Sequence, residues 1–492
     1  MSARIDLNVF TFAARSSEPP DDVKTLASLI NDPPRTLQKF FRDDETLHVA
    51  RAPGRLDVMG GIADYSGSLV MPMPIAESTI VAVQTDPERT IRILSFEPGS
   101  ELTFEMPLSD LDSNADPLEY SDLRERFQKS ETDSWAAYVV GVLFVLHREK
   151  AIEFQNGVRI LITSTIPVGK GVSSSAALEV AVMQAVCSAF RIEISSLEKA
   201  LLCQKAENLV VGSPCGVMDQ IASTCGEENK LLRIFCQPAE ILGSTAIPAS
   251  IGFWGIDSGV RHSVSGSDYG AVRVGAFMGY RIIADLAGLA PEPAGHGLVK
   301  IKDDQWSGYL CNITVAEYEE QFLPYIPKQM TGYDFLIKYT GTTDPVTNIS
   351  PDTTYAVKVP TEHAIYENDR VNRFSRLMRG PCGESELKEL GRLMYQSHEG
   401  YAACGLTEER TERLVELARE NHENRIYGAR ITGGGSGGTV LFMGSSESGE
   451  TVRKLARKFG EETGSTAYVF DGSSSGCALS GNWELLPASR GD

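Results

Sequence analysis

Between residues 158 and 190 the spacing of apolar positions changes twice. Val158-Arg-Ile-Leu-Ile-Thr-Ser164 alternates in the manner of a strand. Residues 166–175 are rich in glycine and serine, and Ala176, Val180, Met183, Cys187 and Phe190 then recur at spacings of four and three, the period of a helix. The order is strand, loop, helix. Such a loop brings Ser173, Ser174 and Ser175 into the first helical turn, where backbone N–H groups lack partners and the helix dipole is positive. That combination suits phosphate. It is not a Walker loop, because Gly169-Lys170 is followed by Gly171 rather than Ser or Thr. The alternative is a flexible serine loop ahead of a core helix.

Other stretches are read by the same rule. The longest apolar run, 135–146, is twelve residues, too short for a membrane span and long enough for a buried helix. Residues 195–212 read as a helix: Ser195 and Glu198 have capping-box spacing, and Gly212 followed by Pro214 stops it. Near the N-terminus a polar segment, 16–22, reads as mobile. An amphipathic stretch with Leu26, Leu29, Ile30, Leu37, Phe40 and Phe41 as packing residues follows it. Strand-like segments surround 251–256, a long helical pattern follows Tyr269, and Gly- and Pro-rich loops are expected near 288–297 and 341–351. Gly433 to Gly438 satisfies G-x-G-x-x-G, but Thr439-Val-Leu-Phe-Met443 after it reads as a strand. A dinucleotide fingerprint must open a helix, so a glycine turn in a hairpin is the better reading.

Composition narrows the partners. A chain of 492 residues has room for two or three domains. Its net charge of −20 argues against nucleic acid or an anionic membrane as partner. Nine cysteines without a C-x-x-C pair fit core thiols in a reducing compartment, and zinc ligation is not expected. The first residues, Met-Ser-Ala-Arg-Ile-Asp-Leu, lack the apolar core of a signal peptide, so a cytoplasmic protein, a monomer or weak homo-oligomer, is expected.

Three stretches resemble the signatures of one family in its order. Residues 49–70, containing Ala52-Pro-Gly-Arg-Leu-Asp-Val-Met-Gly-Gly-Ile-Ala-Asp-Tyr-Ser-Gly67, resemble the first signature of the GHMP kinases, and more narrowly of the galactokinase branch. Residues 166–181 resemble the second, and Ile431-Thr-Gly-Gly-Gly-Ser-Gly-Gly-Thr-Val440 the third. Cys215-Gly-Val-Met-Asp-Gln220 and Val260-Arg-His-Ser263 are also galactokinase-like. The resemblance implies an α+β, two-domain fold: a ribosomal-protein-S5-domain-2-like N-terminal domain and a ferredoxin-like C-terminal domain. A shift in composition near residue 245 suggests an extension at 1–45, an N-terminal domain at 46–245 and a C-terminal domain at 246–492. The last strand, near 467–470, is expected to return to the first domain.

The same resemblance implies ATP and Mg2+ as cofactors, a small sugar as partner, and a role for each matching residue. Gly169, Lys170, Gly171, Ser173, Ser174 and Ser175 would cradle the phosphates, although galactokinases usually carry glycine where this chain has Lys170. Ser175 and Glu207 match the metal-binding pair; a glutamate on an amphipathic helix is otherwise more often solvated. Asp219 matches the catalytic aspartate, and its apolar surroundings, Cys215-Gly-Val-Met218, do not suit a carboxylate that only seeks water. The alternative is a helix N-cap. Arg55 matches the arginine beside that aspartate, which would keep it ionised and spread charge. Asp64, Tyr269 and the Gly216 N–H match sugar contacts. Trp135 matches a tryptophan beside adenine, with core packing as the alternative. The loop at 431–440 would buttress the phosphate site from the second domain.

One departure bears on the sugar. Galactokinases read Gly-Glu-His-Thr-Asp-Tyr where this chain reads Gly60-Gly61-Ile62-Ala63-Asp64-Tyr65. In the family the glutamate contacts the sugar's C6 hydroxyl. An apolar wall of Gly61 and Ile62 suits a sugar without that group, since leaving a hydroxyl unpaired costs binding. L-Arabinopyranose is galactopyranose without its exocyclic CH2OH. Residues 52–67 and 169–175 resemble the kinase region of plant L-arabinokinases, so an L-arabinose 1-kinase making β-L-arabinose 1-phosphate is expected. A galactokinase, a kinase of a related sugar or uronic acid, and a non-catalytic sugar sensor are the alternatives.

Overall fold

The computed structural model describes residues 10–13, 18–97, 99–111, 118–261, 267–295 and 297–488. Strands that carry apolar residues on both faces need cover on both sides, and the first sheet has it. Its seven strands lie in the order Phe10–Phe12, Asn482–Pro487, Leu47–Asp57, Pro72–Asp86, Gly157–Ser164, Thr90–Glu97 and Ser100–Pro107. All neighbours are antiparallel except Gly157–Ser164 with Thr90–Glu97. One face, with Ala50, Ala52, Val81, Val83, Ile160 and Ile162, packs on the buried helices Ala137–Lys150 and Ser174–Ala189. The opposite face, with Val49, Ile80, Ala82 and Leu161, is covered by Val23, Leu26 and Ile30 of the helix Asp21–Asn31, and by Leu37 and Phe41.

The amphipathic segment near the N-terminus thus covers this sheet. Of the polar segment read as mobile, Ser16 and Ser17 lie outside the described residues. Asp22 is fixed, because its Oδ2 accepts from Arg51 Nε at 2.6 Å and from the Ser78 hydroxyl at 2.7 Å. A smaller sheet of Leu69–Val70, Lys230–Phe235 and Glu240–Ala246 closes one end of this half.

The second half is built on an antiparallel sheet in the order Ile426–Ile431, Thr439–Ser445, Ile251–Asp257, Val469–Asp471. The helices Glu409–Glu420 and Gly449–Thr463 pack their apolar stripes on it through Leu414, Leu417, Val452 and Phe459. The long helices Ser267–Leu286, Lys358–Met378 and Glu384–Ala403 lie between this sheet and a separate core around Met278, Trp306, Tyr318 and Phe335. The fold is α+β, with a ferredoxin-like arrangement in the second half.

Two sequence expectations need correction. The strand that returns to the first sheet is Asn482–Pro487, not the one near 467–470; Val469–Asp471 pairs with Ile251–Asp257 in the second sheet. Trp483 and Leu485 make the return possible, since both are buried under the Asp21–Asn31 helix. The expected loop at 288–297 contains a strand, Pro291–Gly295, paired with Leu298–Ile301, because Leu298 and Val299 supply apolar residues for a short hairpin.

Candidate active site

The loop after Gly157–Ser164 turns sharply before the helix Ser174–Ala189. Gly169, Gly171 and Ser173 all adopt left-handed backbone angles, with φ of 75°, 69° and 62°. Glycine tolerates this and serine rarely does. The curl leaves the first N–H groups of the helix facing a cleft of about 860 Å³, lined in part by Gly169, Gly171, Ser173, Ser174 and Ser175. The buried Ser173 hydroxyl has no partner among the described residues, as befits a group waiting for a ligand.

From above, the loop is gripped by the Gly433–Gly438 turn. The Thr439 hydroxyl donates to the Lys170 carbonyl at 2.8 Å, and a Cβ at Gly433 would stand 2.7 Å from the Gly171 carbonyl. Only glycine permits that approach, and the turn joins Ile426–Ile431 to Thr439–Ser445 as a hairpin, not a dinucleotide fingerprint.

At the loop's end Arg55 holds Asp219 in a bidentate grip, Nε to Oδ1 and Nη2 to Oδ2, both 2.8 Å. Its Nη1 donates to the Gly171 carbonyl at 2.7 Å. Asp219 lies in the first turn of Met218–Cys225, whose N-cap is Val217 with no side-chain capping bond, so the N-cap alternative falls. A guanidinium in this position fixes the carboxylate's orientation and faces whatever the loop binds.

Glu207 stands where the helix Ser196–Ala206 loosens into a π turn, Glu207–Val211, ended by left-handed Gly212. Its Oε2 accepts from Gln220 Nε2 at 2.6 Å. Burial first, and the Asp219 charge next, push its carboxyl up to about 7, while a Ser175 hydrogen bond opposes the shift. Glu179, buried beside it and also bonded to Gln220, is raised well above the carboxylate range by burial and by Glu207.

The sugar residues expected from the sequence meet at the other end of the cleft. Asp64 opens the turn Asp64–Ser66 and packs so closely on Gly216 that a Cβ there would stand 1.6 Å from Asp64 Oδ2. Burial, then the nearby Asp219, raise the Asp64 carboxyl to about 6. Ile62, Tyr269 and Gly216 line the cleft, and Ile62 is held at φ 51°. Gly61, expected as part of the wall, does not line the cleft: its Cβ would fall 1.9 Å from Asp57 Oδ2 and 2.0 Å from the Tyr401 hydroxyl.

Two residues stand elsewhere than the resemblance implies. Lys170 Nζ pairs with Asp257 Oδ2 at 2.9 Å and does not line the cleft. Trp135 packs against the main core, and it is Tyr138 that lines the cleft. Lys170 is held by Asp257, at the end of the second sheet's strand Ile251–Asp257. Of Val260-Arg-His-Ser263, Arg261 lines the cleft and residues 262–263 lie outside those described. Gln128 also lines the cleft, and no motif in the sequence pointed to it. Arg273 stands outside the lining and supports it: it pairs with Asp344 through two 2.8 Å bonds and donates to the Cys215 carbonyl at 3.2 Å.

Sequence models of the "GHMP kinases N terminal domain" and the "GHMP kinases C terminal" match residues 137–227 and 378–462, and one of the "Galactokinase galactose-binding signature" matches 36–85. The chain belongs to the GHMP kinases. Within this GHMP kinase, the first match contains the phosphate loop, Glu207 and Asp219, the second the glycine turn that grips the loop, and the third Arg55, Gly61, Ile62 and Asp64. An L-arabinokinase of Arabidopsis thaliana is 42% identical over 490 residues, covering 90% of this chain and 47% of that protein. This GHMP kinase therefore spans about half the length of that relative. A galactokinase of Pasteurella multocida is 27% identical over 432 residues, 87% of this chain and 94% of the relative. The crystal structure of Lactococcus lactis galactokinase complexed with galactose shares the fold, with a TM-score of 0.68, 21% identity, and coverage of 92% and 99%.

Proposed function

We propose that this GHMP kinase is an ATP-dependent sugar 1-kinase that phosphorylates the anomeric hydroxyl of L-arabinose, giving β-L-arabinose 1-phosphate and ADP. The observation that carries this reading is the Arg55–Asp219 pair, set between a phosphate loop and a sugar corner. Asp219 takes the anomeric proton as the sugar oxygen bonds to the terminal phosphorus and the bond to ADP breaks. Arg55 orients Asp219 through its bidentate grip and, through Gly171, holds it in register with the loop. Ser173, Ser174 and Ser175 offer hydroxyl and N–H donors to the phosphates. Asp64 accepts from ring hydroxyls, assisted by the Gly216 N–H, with Tyr269 beside them.

Ser175 and Glu207 suit a magnesium ion. Among the described residues no cluster of three or more His, Cys, Asp or Glu could hold a metal, and magnesium asks for only one or two protein oxygens when nucleotide phosphates and water supply the rest. Glu207 is a buried carboxylate with no cationic partner among the described residues. When bound there, the ion neutralises phosphate charge.

The choice of L-arabinose rests on the apolar corner at Gly61 and Ile62, and the similarity to an L-arabinokinase supports it. The match of 36–85 to a galactose-binding signature favours galactose as the second reading. The chain divides functionally near 245/246, at the end of Glu240–Ala246, with Asn482–Pro487 returning to the first sheet. A cytoplasmic setting agrees with nine free cysteines, and among the described residues no helix is long and apolar enough to cross a membrane. ADP release with ATP and magnesium, assayed against L-arabinose, D-galactose and D-galacturonate, tests the reading. L-Arabinose is expected to lead in kcat/KM; galactose in the lead gives the second reading, and release with none of them overturns both. Arg55→Lys, which cannot keep the bidentate grip, is expected to lower kcat by roughly 100-fold.

A further inference from the structure

The turn that faces the sugar carries no side chain at position 61, and the reason lies outside the turn. Two buried atoms already fill the volume: Asp57 Oδ2 and the Tyr401 hydroxyl, 1.9 and 2.0 Å from where a Cβ would stand. Asp57 is locked by Arg430, whose Nη1 donates to the Asp57 carbonyl at 2.6 Å and lies 3.2 Å from Oδ2. Tyr401 comes from Glu384–Ala403, in the other half of the chain. Its hydroxyl donates to the Gly433 carbonyl at 2.8 Å, the Arg430 guanidinium lies 5.1 Å over its ring, and His363 meets the ring edge-on at 5.4 Å.

We propose that Tyr401 is the specificity-determining residue of the sugar corner: its ring backs the Ile62 wall and sets how large a sugar fits. Tyr401, Ile62 and Tyr269 form one apolar cluster, and Ile62 and Tyr269 face the cleft. Tyr401 belongs to the same cluster but does not line the cleft, so it packs within the wall that Ile62 and Tyr269 present. The turn cannot yield instead, because two helix residues hold its backbone. Glu367 Oε1 accepts from the Gly60 N–H at 3.2 Å, and His363 Nε2 donates to the Gly61 carbonyl at 3.1 Å. Glu367 is itself fixed by Ser397 at 2.6 Å and Arg370 at 3.0 Å. The clamp keeps Ile62 in a left-handed conformation that a β-branched residue avoids unless its surroundings impose it. Exchanging residues 61 and 62 for the Glu-His pair of galactokinases therefore adds a side chain where there is no room.

This inference rests on the sugar kinase reading and concerns the size of sugar accepted. The test is the ratio of kcat/KM for D-galactose to that for L-arabinose, measured with thermal melts on the wild type, G61E/I62H, Tyr401→Ala and Tyr401→Phe. Tyr401→Ala is expected to raise the ratio by roughly tenfold or more, chiefly through the galactose KM. G61E/I62H is expected to lower both activities without raising the ratio. Should Tyr401→Ala fail to fold, Tyr401→Leu, which also removes the ring, is measured in its place and decides with a rise of roughly threefold, while Tyr401→Phe, which keeps the ring, is expected to leave the ratio unchanged. An unchanged ratio in a folded variant that lacks the ring overturns the proposal, as does a tenfold rise in G61E/I62H with Tyr401 intact. A wild type that prefers galactose refutes the L-arabinose reading alone, since the change of ratio at position 401 is measured independently of its starting value.

Discussion

In the proposed sugar site Asp64 would have to be ionised to accept hydrogen bonds from two hydroxyls, yet its surroundings hold its carboxyl at about 6, against an ordinary 3.8. Two effects follow, with opposite signs. The sugar KM is expected to rise as pH falls through about 6, while the ATP KM stays level, and Asp64→Asn is expected to raise the sugar KM and flatten that profile. Stability moves the other way. A carboxyl raised by folding keeps its proton longer in the folded chain than in the unfolded one, so ionisation begins to cost stability above about pH 4 and costs it fully above about pH 6. Asp64→Asn should therefore stabilise the ligand-free protein by up to about 3 kcal/mol at pH 8, and by almost nothing at pH 3.5, in urea titrations. At this scale the sequence marked Arg55, Asp64, Glu207 and Asp219, because motifs fix their neighbours. It misassigned Lys170 and Trp135, whose partners, Asp257 and the main core, are set by packing between distant segments.

The phosphate loop is the element whose form was most legible. Alternation before it, serines within it and a period of four and three after it each follow from local geometry. What the sequence did not reveal is how tightly the hairpin turn presses on it. Gly433 has φ 77°, and a Cβ there meets the Gly171 carbonyl at 2.7 Å and Arg55 Nη2 at 3.3 Å. Gly433→Ala should push Gly171 and, through it, Arg55. Initial rates with varied ATP are expected to show kcat lower by roughly tenfold or more, with a higher ATP KM. Gly464→Ala is the control: φ is 66° and nothing lies within 4 Å of the added methyl, so only a backbone cost of about 1 kcal/mol applies, and kinetics should not change.

For the molecule as a whole, the order of strands was the least legible feature, since pairing between residues 50 and 482 leaves no local trace. Asn482–Pro487 lies inside the first sheet, between Phe10–Phe12 and Leu47–Asp57, and buries Trp483 and Leu485. Ending the chain after Ser480 would remove both side chains and bare the edge of Leu47–Asp57. A loss of at least about 4 kcal/mol is expected from the apolar area alone, read as a lower urea midpoint with increased light scattering. The Trp483→Ala change by itself should cost about 3 kcal/mol.

The floor of the nucleotide cradle is spelled out before residue 190, while its ceiling, Gly433 with Thr439, and the tether at Asp257 come from the other sheet. The sugar corner is divided in the same way, with Ile62 on one side and Tyr401 on the other. Any hinge that parts the two sheets must slacken both grips at once. On the proposed reading, product escape and admission of the next substrates would then be one movement.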